Sequence, residues 1–178
     1  FDRLLKGLAN YYIHSPQYKV YFHIIGDFFS PREREEYMSI IKENHLAPYV
    51  ILHGRQAGQM LDLLFELCDF GIGSLGRHRS GITNIKTLKN REYAARGIPF
   101  IYSEIDEDFE NMPYIMKIPA NEEAVDIKQI LNFYNQLHIT PLEIRNSIRH
   151  LSWNNQMKKV LDEMQKKDKI NPNNNNIG

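Results

Sequence analysis

Lys89 and Glu92 stand one helical turn apart in the stretch SLGRHRSGITNIKTLKNREYAARGIPFIYS, residues 74–103. A cation and a carboxylate at that spacing suit an exposed ion pair on a solvated helix face. The loop before them, 74–87, carries Arg77, His78, Arg79 and Thr83. A strand, a polar loop and a helix start form the plan of an anion site. The first N–H groups of a helix lack internal partners, and the aligned peptide dipoles leave positive charge there. Arg77 or Arg79 would add charge, or would simply be solvated loop residues.

The other reactive residues exclude more than they suggest. His23 and His53 fall in apolar runs and read as satisfied strand residues, which leaves His78 as the one histidine in the key loop. No pair of histidines has the helical spacing of a metal site, so no metal is expected. Ser74 and Ser80 lack a nucleophile elbow, and there is neither Gly-x-Gly-x-x-Gly nor a Walker loop. The single cysteine, Cys68, lies in an apolar segment and reads as a buried structural thiol in a reducing compartment. Basic and acidic residues number 22 each, so nothing in the net charge attracts nucleic acid. No apolar run approaches the roughly 20 residues of a membrane span, and no signal peptide opens the chain. A cytoplasmic protein is the expectation.

Continuous apolar runs predict strands over 19–25, 49–53, 70–75, 99–103 and 114–118. Helices are expected over 1–13, 31–44, 58–67, 87–96, 122–137, 140–150 and 152–167. Several carry end signals: Pro31 at a first turn, Thr87 as a cap, Gly97 as a stop, and Thr140-Pro141 with Glu143 as a capping box. The alternation predicts an α/β fold, a Rossmann-like and mostly parallel sheet with helices on both faces. The domain should cover 1–167, with a disordered Asn-rich tail over 168–178. Ligands of such sheets bind at the carboxyl ends of strands. Three loops there, 26–30, 54–58 and 74–87, become candidate walls.

LKNREYAARGIPFIYS resembles the donor-binding motif of retaining GT-B glycosyltransferases, the group that includes glycogen synthases. Glu92, Ala95, Gly97 and Pro99 match the second half of that family's Glu-x7-Glu pattern, and Lys89 matches a lysine three residues before the Glu. The first Glu is replaced by Asn84. KVYFHIIGD, VILHGR and LSWNNQMKKVLDEM resemble further segments of the family's nucleotide-binding domain, colinear over roughly 1–164. The resemblance implies that Asn84 and Glu92 take the catalytic positions near the donor sugar and ribose. It implies donor contacts from Gly26, Gly54, Arg55, Thr83, Lys89 and Glu92. No cofactor or metal is implied beyond a UDP-, GDP- or ADP-linked sugar as substrate.

The family's first strand and Gly-rich loop, in mid-sheet, would precede Phe1. Without them, apolar strand edges should be left open, and the chain should associate or re-pair its strands. The implied function is donor binding in a hexosyltransferase of polysaccharide or glycolipid assembly. The glycan or lipid-linked acceptor would be held by an N-terminal domain, and the full protein would be peripheral to the inner membrane. Two rival readings are a nucleotide-sugar epimerase and a non-catalytic α/β interaction module; association through the open strand edges would make the chain a homo-oligomer.

Overall fold

The computed structural model describes residues 1–14 and 16–170, with side-chain surroundings through 166. Its elements follow in the order α1 (Asp2–Tyr12), β1 (Phe22–Ile25), α2 (Pro31–Glu43), β2 (Val50–Gly54), α3 (Gly58–Glu66), β3 (Gly71–Ile72), α4 (Leu88–Arg96), β4 (Phe100–Tyr102), β5 (Ile115–Lys117), α5 (Ile127–Asn135), α6 (Pro141–Ser147) and α7 (Trp153–Ile170). One-turn 3-10 segments cover Arg77–Ser80 and Arg149–Leu151. The fold is α/β.

Local chemistry sets most helix ends. Ser30 accepts from Glu33 N–H and Pro31 opens α2. Thr140 and Glu143 form a capping box on α6. Thr87 caps α4. Gly97 ends it at φ 77°, where an added Cβ would also lie 2.6 Å from the Pro141 carbonyl oxygen. The site therefore excludes side chains twice over. Helix α5 is shorter than the expected 122–137. The Asp126 carboxylate caps it by accepting from Lys128 and Gln129 N–H. Upstream, Val125 N–H donates to the Arg3 carbonyl and the Arg3 guanidinium donates to the Glu123 and Pro119 carbonyls. Those bonds hold 119–125 as a turn. The last helix runs through Ile170, into the expected tail, whose remainder, 171–178, lies outside the described residues.

The strands do not form one sheet. β1 and β2 pair in parallel, β3, β4 and β5 pair in parallel, and among the described residues no ladder joins β1 to β3. The expected re-pairing across the gap does not occur. A shared core explains why. Leu4, Leu5 and Leu8 of α1 and Ile127 and Ile130 of α5 pack with Phe22 and Ile24 of β1 and with Ile101 of β4. Both sheets are thus anchored to one apolar layer, which fixes their positions.

Cover differs between the sheets. Ile101 faces that first core, while Phe100 and Tyr102 face a second one with Ala94, Tyr114 and Ile144. All three β4 residues are fully buried. On β2, Val50 is buried but Ile51 and Leu52 are 36% and 39% exposed. The three-stranded sheet is covered on both faces, whereas β2 of the two-stranded one is partly open on both, since Ile51 and Leu52 point to opposite sides. Helix α7 packs against the 149–151 turn and leaves Trp153, Met157, Leu161 and Met164 exposed. No helix among the described residues is long and apolar enough to cross a membrane.

Candidate functional site

At the carboxyl end of β3 the chain turns through Ser74–Gly76 into the 77–80 turn. This turn and the start of α4 enclose a cavity of about 390 Å³, lined among others by Ser74, Gly76, Arg77, Arg79, Thr87 and Lys89. Thr87 Oγ1 accepts the Asn90 N–H, so the N–H groups of Leu88 and Lys89 remain as the helix's unpaired donors. The turn offers less than its sequence suggests. The Arg77 N–H already donates to buried Glu104 at 2.7 Å.

The cations separate into two kinds. Arg79 grips Asp2 at 2.7 Å and also Glu122, which His78 contacts at 2.8 Å. Hydrogen bonds from Arg79 and then His78 pull the Glu122 carboxyl down to about 2, while Glu122 and then Asp2 hold the Arg79 guanidinium above its ordinary value. Arg79 is therefore neutralised, neither a free cation nor simply a solvated loop residue, and His78 belongs to the same closed set. Arg77 and Lys89 make no ion pair with the described residues. Lys89 is reached by solvent, yet enclosure of its ammonium and then the Arg77 charge lower its pKa.

Glu92 does not pair with Lys89. It accepts from Arg96 at 2.6 Å, and Arg96 also reaches Asp62 at 2.7 Å. Glu92 and Lys89 both line a second, larger groove of about 720 Å³, and Lys89, Phe1 and Ile72 are shared with the smaller cavity. One helix thus carries a cation at the junction and a carboxylate one turn on.

The remaining sequence candidates lie apart. Asn84 is exposed, bridges to Ile105 through its backbone, and turns its amide to Thr83 Oγ1 at 3.4 Å. Neither Asn84 nor Thr83 lines either cavity. Gly26 and Gly54 close β1 and β2 with φ 115° and 65°, joined by a Gly26 N–H to Gly54 carbonyl bond of 2.8 Å. Arg55 pairs with Asp27 at 2.6 Å on the surface. These three form a second rim, on the other sheet, and line neither cavity. Cys68 is half-buried rather than buried. Its thiol donates to the Leu64 carbonyl at 3.2 Å, and burial pushes its pKa up, which suits an inert thiol.

Sequence reading missed what holds α4 in place. Fully buried Asp106 accepts from Asn90 at 3.0 Å and from Arg91 at 3.1 Å, and Arg91 also contacts Asp108. The run Lys89-Asn90-Arg91-Glu92 is polar throughout and does not mark these two residues, and their partners lie 15 to 17 residues on. Arg3 was missed likewise. It is buried, and its guanidinium donates to the Leu75 carbonyl at 2.9 Å behind the cavity wall. Among the described residues no cluster of His, Cys, Asp and Glu is suited to a metal. No family model matches the chain, and no curated protein or solved structure matches it.

Proposed function

We propose that this domain binds the nucleotide-sugar donor of a glycosyl transfer. The diphosphate would lie over the start of α4, and the ribose would lie against Glu92. The observation that carries the reading is Lys89. It projects beside the unpaired N–H groups of α4 with Arg77 as a charged neighbour, so two cations that make no ion pair with the described residues border one cavity. A diphosphate supplies the missing charge. Glu92 stands one turn further along, and its pair with Arg96 is solvent-exposed and easily exchanged for a diol. Glycosyl transfer needs stabilisation of the leaving diphosphate, which such donors provide. Transfer itself, the acceptor and the stereochemical course are carried by the resemblance to the retaining enzymes.

Titration calorimetry with UDP-glucose, GDP-mannose and ADP-glucose tests the reading. One of them should bind. Lys89→Met should weaken it by about tenfold or more, the scale of a charge-assisted hydrogen bond, and Glu92→Gln by a smaller factor. Absence of binding by all three at millimolar concentration refutes it.

A further inference from the structure

Three charged residues share one side of α4, and two of them are paired with each other. Glu92 has a cation three residues before it, Lys89, and another four residues after it, Arg96. Both spacings bring side chains together on a helix, and a glutamate four residues ahead of its cation is the better arrangement. The structure adopts the second pairing, with Arg96 Nε donating to Glu92 Oε1 at 2.6 Å. Arg96 does not depend on Glu92 for its place. Its terminal nitrogen donates to Asp62 of α3 at 2.7 Å, and its guanidinium lies 4.1 Å from the centre of the Phe65 ring. Its carbonyl accepts from Arg145 at 3.2 Å. The planar guanidinium lets one nitrogen serve Glu92 while another serves Asp62, a division that a point charge does not offer.

We propose that Arg96 is a positioning residue of the nucleotide site: it holds Glu92 off Lys89 and so keeps the lysine free for a diphosphate. The inference rests on the donor-binding reading of this helix. Lys89 and Glu92 line the same groove. Without Arg96, Lys89 is the cation that helical spacing leaves to Glu92. That pair would cancel both the charge that phosphate needs and the acceptor that ribose hydroxyls need. The competition is strong because the ammonium is enclosed. Enclosure and then the Arg77 charge lower the Lys89 pKa, and a carboxylate relieves an enclosed ammonium more than a solvated one. The other anchors of Arg96 explain why Glu92 is still available to a ligand. When hydroxyls take the carboxylate, Arg96 keeps Asp62 and the Phe65 face, so the exchange strands no cation. A residue that merely blocked Glu92 would lose its one partner on exchange.

A double-mutant cycle of Arg96→Met and Glu92→Gln in the whole chain tests this with two readouts. Methionine keeps an apolar contact for Phe65. The first readout is the Lys89 titration midpoint, followed by NMR at its ε-methylene group. Arg96→Met should raise it by about 0.3 unit or more as Glu92 turns to Lys89. In the Glu92→Gln background the same change should move it by less than half as much. The second readout is calorimetric affinity for inorganic pyrophosphate, which carries no ribose. Arg96→Met should weaken it by about threefold or more, and Glu92→Gln should remove most of that loss. An equal loss in both backgrounds means that Arg96 acts only through its own charge or through stability, and it overturns the proposal. So does a Lys89 midpoint that Arg96→Met leaves unmoved. Pyrophosphate binding with an unmoved midpoint removes this inference alone. A raised midpoint with no pyrophosphate binding removes the nucleotide reading and keeps Arg96 as the residue that parts Glu92 from Lys89.

Discussion

In the three-stranded half, β4 sends Ile101 into one core and Phe100 and Tyr102 into another, all at 0% exposure. In the two-stranded half, Phe22, Ile24 and Val50 are buried, but the neighbouring Ile51 and Leu52, which point to opposite faces of β2, are both exposed. The two halves read alike in sequence, as continuous apolar runs. Their difference lies in what covers them. Helices α4 and α6 close the outer face of one sheet, whereas α3 buries only Leu64 and leaves Met60 and Leu63 exposed. Burial, and therefore stability, should be unequal between them.

The sharpest break of that comparison is Phe100→Ala. It removes a fully buried ring that contacts four aromatic neighbours, and should cost about 3–5 kcal/mol in chemical denaturation. Ile51→Ala, in the other half, should cost below about 1 kcal/mol, because its side chain is already partly solvated. Equal losses would refute the asymmetry. Asp106→Ala leaves Arg91 and Asn90 without their buried acceptor and should cost on the order of 3 kcal/mol, read as a lowered urea midpoint. It should also loosen the start of α4, so nucleotide affinity should fall with it.

The pH limbs sharpen the comparison further, with smaller effects. Burial and then His53 lower the His23 pKa below the ordinary 6.5. The unfolded chain therefore binds this proton first, and stability falls as pH drops below about 6.5. His23→Gln should flatten that acid limb. In the other half, burial pushes the Tyr93 hydroxyl from 10.0 up to about 12. The folded state retains a proton that the unfolded chain releases, so stability falls as pH rises from 10 towards 12. Tyr93→Phe should flatten this alkaline limb and leave the acid one intact. Urea midpoints across both ranges decide each case.

Helix ends were legible because their chemistry is local. Pro31, Thr87, Gly97 and the Thr140–Glu143 box act within four residues of themselves, and each stands where its spacing placed it. The Lys89–Glu92 spacing was legible too, but its meaning was not. Arg96 captures Glu92 from one turn on, while the cavity wall claims Lys89. Asn84 fits a motif by position, yet its backbone bridges to Ile105 and its amide turns to Thr83.

By itself, then, the sequence determined the order of elements, the parallel pairing and the helix caps, since each depends on apolar periodicity or on groups a few residues apart. Only the tertiary structure decided that the sheet is split, that one half is less covered than the other, and that Arg79 is neutralised while Arg77 and Lys89 are not. Those outcomes depend on partners far along the chain: Asp2 and Glu122 for Arg79, Asp106 for Arg91, and the α1 and α5 layer for both sheets. A contact between residues distant in sequence leaves no periodic trace, because its energy is set by packing geometry and not by neighbouring residue types.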